Sequence, residues 1–237
     1  MATKLVPILG LPTYDGSSLN RSAVVSYARA FPEGAIVEPS SSCLGQAFNL
    51  AYQYARKEAD AGNATHFIML HADVIPLNHD WGQILLDECE RTQASILSVI
   101  LPIKTGEGLT STAIEAEETV AKGQWHPVRF TMKEVFNMPE TFTHPRLLLN
   151  TGLMVIDLRK EWSRELVFDI QCGVKLPTYE PYFLPEDWLM SRFATGRGEQ
   201  IYATRKVRAL HMGKAPYGND KSWGSKATEG AWDLFYK

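Results

Sequence analysis

Long apolar runs are the first thing missing. No stretch of the 237 residues comes near the roughly 18 consecutive apolar side chains that span a bilayer. Met1-Ala2-Thr3-Lys4 opens no signal-type apolar segment either. The expectation is a cytoplasmic protein without a membrane span. Charge of one sign is also missing. A formal net charge of −3 gives no global basic field for nucleic acid. Cysteine is scarce: Cys43, Cys89 and Cys172 form no CxxC pair, which argues for reduced thiols over a disulfide frame or a cysteine zinc site. There is no GxxxxGK loop and no strand-linked GxGxxG, so ATPase and dehydrogenase readings are poor. Repeats, low-complexity tracts and a clear linker are absent as well, which favours one domain.

What is present is a succession of buried-strand and helix patterns. Leu5 to Leu11 reads as a first strand, closed by the turn cluster Pro12-Thr13-Tyr14-Asp15-Gly16. A helix capped by Ser17 or Ser18 runs to Ala30, with Asn20 and Arg21 in its first turn. Ala35 to Glu38 is a second strand. Leu44, Ala47, Phe48, Ala51, Tyr54 and Ala55 then repeat at helical spacing. Phe67 to Leu70 is a strand buried on both faces that runs into His71-Ala72-Asp73. A helix capped by Asn78 or Asp80 carries Trp81, Ile84 and Leu85, and Ala94 to Leu101 is a further strand. This β-α-β-α-β-α-β order predicts a mostly parallel, helix-covered sheet.

Beyond it the pattern loosens. Residues 104–126, with Gly106, Gly108, Gly123 and the acids Glu115, Glu117 and Glu118, read as a mobile surface loop with one hairpin. Trp125 to Phe130 reads as an edge strand. Leu147 to Asp157 reads as a strand with a polar notch at Asn150-Thr151-Gly152, followed by a helix from Lys160 to Phe168. Residues 177–184 read as a Pro/Tyr-rich loop. Pro185-Glu186-Asp187 opens a helix to Gly196, as Pro followed by two acids suits a helix start. Ile201 to Thr204 and Val207 to Leu210 are short strands, the second delivering His211.

Four polar features therefore sit at the ends of apolar elements: Asp73, the notch, Glu186-Asp187, and His211. Each has a plain reading: a solvated loop acid, a helix-capping pair, a structural histidine. Taken together they suit one chemistry. A sugar nucleotide has a diphosphate leaving group, and a divalent cation offsets the charge that builds on it. Asp73 and His211 can hold Mn²⁺, which accepts carboxylate and imidazole together. Asp187 or Glu186 can take the proton of an attacking hydroxyl. Lys104 can approach a phosphate, or be simply solvated. Aromatic side chains such as Trp125, Tyr179, Tyr182 and Trp188 can stack on sugars or fill the core. The basic run Arg192, Arg197, Arg205, Lys206 and Arg208 can face phosphates or water.

In this order the motifs resemble those of GT-A type glycosyltransferases, closest to small family-2-like members. The resemblance covers most of residues 4–214. It implies an α/β GT-A fold (nucleotide-diphospho-sugar transferase, Rossmann-like), with a mixed, mostly parallel sheet and helices on both faces. Residues 4–103 would be the nucleotide-binding half, 104–214 the acceptor and catalytic half, and 215–237 a tail or lid. Pro12, Thr13, Tyr14 and Asp15 resemble the loop that receives the nucleoside, and Glu38 the acid set against the base. His71-Ala72-Asp73 resembles the DxD signature, with His71 in place of its first Asp. Asn150, Thr151 and Gly152 resemble the acceptor-pocket segment, beside Trp188. Glu186-Asp187 resembles the xED motif with Asp187 as base, and His211 the late metal-binding histidine. The implied cofactors are Mn²⁺ or Mg²⁺ and a nucleotide-sugar donor, UDP-sugar favoured. The implied acceptor is a hydroxyl on a glycan, a small molecule or a modified DNA base. A nucleotidyltransferase of the same fold ranks second, because the first loop has one Gly and no Lys or Arg before Arg21. A non-catalytic carbohydrate- or nucleotide-binding domain is the remaining alternative.

Overall fold

The computed structural model describes residues 4–116, 127–175 and 177–236. Strand β1 (Pro7–Gly10) is followed by α1 (Arg21–Ala30), β2 (Ile36–Val37), α2 (Leu44–Asp60) and β3 (His66–Leu70). Then come β4 (Val74–Pro76), α3 (Trp81–Thr92) and β5 (Ile96–Val99). The middle of the chain holds β6 (Leu109–Glu115), β7 (Pro127–Thr131), the single turn α4 (Met132–Val135), β8 (Thr141–Phe142), β9 (Leu147–Leu148) and β10 (Leu153–Asp157). After a 3-10 turn at Glu161–Glu165 follow β11 (Gln171–Lys175), β12 (Glu180–Leu184) and α5 (Glu186–Gly196). The last elements are β13 (Ile201–Thr204), β14 (Ala209–Met212), β15 (Pro216–Gly218) and α6 (Ala231–Phe235).

The main sheet has seven strands in the order β2-β1-β3-β10-β5-β13-β8. Pairings β1–β2, β1–β3 and β5–β13 are parallel, while β10 runs antiparallel to both β3 and β5, and β8 antiparallel to β13. The sheet is thus mixed, with β10 reversed at its centre. Because β10 lies between β3 and β5, the two sequence halves share one sheet. All five residues of β3 are buried, and their side chains alternate between two cores. Phe67 and Met69 pack with Phe48 and Tyr52 of α2 and Met190 of α5. Ile68 and Leu70 pack with Tyr27 of α1 and Trp81 and Leu85 of α3. That two-sided burial explains the unbroken apolar run.

Several expectations are corrected. Residues 104–126 are not simply a surface loop: β6 is almost wholly buried, paired with β7 and β9 in a second sheet. Glu117, Glu118, Gly123 and Trp125 lie outside the described residues. The notched strand is two strands, since β9 joins β6 while β10 joins the main sheet. Residues 161–165 form only a 3-10 turn in place of a full helix. The Pro/Tyr-rich loop contains β12, which pairs with β11 as an exposed hairpin. On α2, Tyr52 faces the core while Leu44 and Tyr54 are exposed.

The tail is built into the fold and is not a free lid. β15 pairs with β14, and Ala231 of α6 is fully buried in the α2 core. Buried Asn219 donates to the carbonyls of Ile100 (2.9 Å) and Val207 (3.0 Å), and its Oδ1 accepts from the Ala209 amide (2.7 Å). Cys43, Cys89 and Cys172 are all free thiols. No helix among the described residues is long and apolar enough to cross a membrane.

Candidate active site

The site is built where β3 ends. The backbone of residues 71–73 is pinned from three directions. The His71 amide donates to the Gly152 carbonyl (2.8 Å). The His71 carbonyl accepts from the Asn20 side-chain amide (2.8 Å). The Met212 amide donates to the Asp73 carbonyl (2.8 Å). Three segments distant in sequence thus fix one corner, which aims the Asp73 side chain.

The Asp73 carboxylate forms an ion pair with the Lys104 ammonium, and its Oδ2 lies 3.7 Å from His211 Nε2. Burial alone would push this carboxyl up, but Lys104 and His211 outweigh it and the net shift is downward. His211 Nδ1 donates to the Pro102 carbonyl at 2.8 Å. That hydrogen bond puts the ring proton on Nδ1 and leaves the Nε2 lone pair facing Asp73. Burial lowers the His211 pKa, so the ring stays neutral at pH 7. His71 is packed against Phe48, ring centroids 4.9 Å apart. Its Nε2 is buried without a hydrogen-bond partner among the described residues, and burial holds its pKa far below the usual imidazole value.

Asp73 borders a cleft of about 460 Å³. Pro12, Thr13, Tyr14, Asp15, His71, Ala72 and Asp73 all line it, joined by Ser41, Ser42 and Leu44. The cleft sits off the carboxyl ends of β1 and β3, the usual ligand position in open α/β sheets. Its loop is pre-shaped. Thr13 Oγ1 accepts from the Gly16 amide (3.0 Å), and Asp15 Oδ1 accepts from the Ser17 amide (2.9 Å) and hydroxyl (2.6 Å). Those Ser17 bonds hold the Asp15 pKa down. Glu38 is exposed at the end of β2 and is not among the lining residues.

The second acidic group starts α5. Asp187 is pushed up to about 7, first by burial and then by the neighbouring Glu186 charge, against the opposing pull of its bond from the Trp188 amide and of Arg129. Glu186 is also raised by burial, partly offset by a hydrogen bond from Thr151. A solvated capping pair would show neither effect, so the helix-cap reading of these acids is insufficient.

Trp188 is buried, donates to the Ser111 carbonyl (3.2 Å) and is covered by the Arg129 guanidinium, 4.6 Å from the ring centroid. It is a packing residue, not an open sugar platform. Asn150 is spent on local backbone: it donates to Val99 O (2.9 Å) and accepts from Gly152 N (3.0 Å). Gly152 is required by packing, since a Cβ there would sit 2.5 Å from Leu101 Cδ1. The turn 150–152 therefore acts as a bracket. Its Gly152 carbonyl holds His71, and the Leu149 amide just before it donates to Ser191 Oγ of α5 (2.9 Å), so this stretch ties the Asp73 corner to the helix that carries Asp187.

Sequence reasoning missed Asn20, Pro102 and Arg129. Asn20, expected in the first turn of a helix capped by Ser17 or Ser18, instead precedes α1, and its side chain makes no cap bond but serves His71. The basic run is dispersed. Arg197 pairs with Glu165 and lies over Phe193, Lys206 pairs with Glu88, Arg205 lies over Phe136, and Arg192 approaches Glu115.

No protein-family model and no curated protein matches the chain. Among solved structures, the chain is similar to the A197 protein from STIV, at 13% identity and a TM-score of 0.52, over 88% of this chain and 86% of that one. The likeness is one of fold. A looser overlap exists with apo UDP-glucose pyrophosphorylase, at 15% identity and a TM-score of 0.37, over 75% of this chain and 58% of that one.

Proposed function

We propose that this chain is a GT-A type glycosyltransferase that moves a sugar from a nucleotide-diphosphate donor, UDP-sugar favoured, to an acceptor hydroxyl with inversion. The observation that carries the reading is the stretch 149–152, which couples a cleft ending in Asp73 to the start of α5, where the half-buried Asp187 carboxyl is raised to about 7.

Thr13, Tyr14 and Asp15 bind the nucleoside in the cleft, and the diphosphate points toward Asp73. The donor set there suits Mn²⁺ or Mg²⁺: one carboxylate, and one imidazole whose tautomer leaves Nε2 free, 3.7 Å apart. Lys104 occupies the same carboxylate oxygen and must yield to the ion. When bound, the cation stabilises charge on the leaving diphosphate. Asp187 accepts the acceptor O–H proton while that oxygen bonds to the anomeric carbon. The sugar–oxygen bond to the diphosphate breaks, and the electron pair leaves with the phosphate. A base poised near neutral pH fits this role. The nucleotidyltransferase alternative is disfavoured because, among the described residues, no Lys or Arg lines the cleft.

Titration calorimetry with UDP, GDP, CDP and TDP, each with and without Mn²⁺, tests the proposal. Binding of one nucleotide that strengthens with Mn²⁺ supports it. A folded protein that binds none of them removes it.

A further inference from the structure

The opposite end of β3 carries a second cluster that the proposed reaction does not use. His66, Glu90 and Asp157 come from β3, α3 and β10, and one ligand atom of each lies within 4.8 Å of the others. His66 is wholly buried, and its Nε2 has no hydrogen-bond partner among the described residues, although it faces Glu90 Oε1 at 3.3 Å. The other ring nitrogen is engaged, Nδ1 lying 3.0 Å from the Thr65 hydroxyl. The cluster therefore brings one imidazole nitrogen without a hydrogen-bond partner together with two carboxylates.

From this arrangement we infer that His66, Glu90 and Asp157 form a binding site for a borderline divalent ion of the zinc class, separate from the Asp73 corner. The donor set of one imidazole and two carboxylates suits Zn²⁺ better than Ca²⁺ or Mg²⁺, which favour all-oxygen shells. Zinc bonds of about 2.0–2.2 Å at tetrahedral angles set ligand atoms about 3.3–3.6 Å apart. His66 Nε2 and Glu90 Oε1 already stand 3.3 Å apart, and Asp157 closes on that pair from within 4.8 Å. A water completes the tetrahedron.

Arg159 now supplies the positive charge. Its guanidinium grips Asp157 through two bonds of 2.8 Å and also pairs with Glu90. Its side chain is 36% exposed, so it has a path to solvent. Zinc and Arg159 compete for the same carboxylates, and the ion wins by adding a bond to His66 Nε2, which has no hydrogen-bond partner among the described residues. The bound ion ties β3, β10 and α3 together.

The test is zinc titration of untagged Asp73→Asn protein, a background that removes the other candidate cation site. One Zn²⁺ per chain is expected, with a rise in Tm on the order of 5 °C at a hundredfold excess over Kd. Co²⁺ should give tetrahedral visible absorption. In that background Glu90→Gln should weaken binding at least tenfold. Arg159→Gln should tighten it at least tenfold, a gain that misfolding cannot produce. Absence of Zn²⁺ binding in both Asp73→Asn and its Arg159→Gln derivative overturns the inference. So does binding that Glu90→Gln leaves unchanged, and so does an Arg159→Gln derivative that binds no tighter.

Discussion

The two ends of β3 carry the same kinds of group in different settings. At the carboxyl end a carboxylate (Asp73), an imidazole (His211) and a basic side chain (Lys104) meet beside an open cleft. At the amino end Asp157, His66 and Arg159 meet with Glu90, away from that cleft. The Asp73 side chain is 36% exposed and the Asp157 side chain 8%. Similar charges therefore do different jobs. Where water enters, an ion pair is weak and exchangeable, and a ligand can replace one partner. Where the carboxylate itself is buried, as at Asp157, losing it leaves its partners uncompensated, even though Arg159 reaches solvent. Access decides which end can turn over a substrate.

Four substitutions and a pH series sharpen this contrast. The largest effect is expected at the open end. Asp187→Asn should lower transfer by about 10³-fold, within the usual range for a lost general base, while nucleotide affinity measured by calorimetry stays within twofold. Equal activity would remove Asp187 from the reaction. Next comes the closed end. Asp157→Asn strips Arg159 and His66 of a buried partner and should cost about 3 kcal/mol in denaturant unfolding. Asp73→Asn should cost under about 1 kcal/mol in the same assay. Equal costs would erase the contrast.

A pH series separates the ends further. Asp187 must be ionised to act, so transfer should rise about tenfold from pH 6 to pH 8 around the value of about 7. The same group makes stability run the other way. Its folded value lies above the ordinary 3.8, so its contribution is full below about pH 4 and is lost as pH rises through about 7. Asp187→Asn should flatten both curves. The smallest effect is at Lys104. Lys104→Gln should change stability by less than about 1 kcal/mol, yet tighten Mn²⁺ binding by freeing Asp73. Unchanged Mn²⁺ affinity would show that Lys104 does not compete.

Much of the open end was legible in the chain. Asp73, His211 and the Pro12–Asp15 loop stand at the ends of apolar runs, and a polar residue there marks a strand's exit from the core. Helix α5 was legible from Pro185-Glu186-Asp187. Other features were not, because they depend on contacts between distant segments. Asn20 looks like any first-turn polar residue until His71, 51 residues away, is brought beside it. The break at Asn150 divides strands that join different sheets, and local periodicity carries no sheet membership. Tyr52 and Tyr54 differ only in which side of α2 meets β3. The closed cluster was invisible for the same reason: His66, Glu90 and Asp157 belong to three elements, and none stands in a motif.

One contact has a consequence for how the chain can vary. Gly108 and Gly224 cross back to back, both at positive φ. A Cβ on Gly108 would meet the Trp223 carbonyl at 2.4 Å, and one on Gly224 would meet the Glu107 carbonyl at 2.3 Å. Neither position can take a larger residue by shrinking the other, because both are already as small as a residue can be. In a mutational library the two codons should behave as a single locked character, with no second-site rescue between them. The route by which residues 223–226 reach the loop before β6 is closed to gradual change.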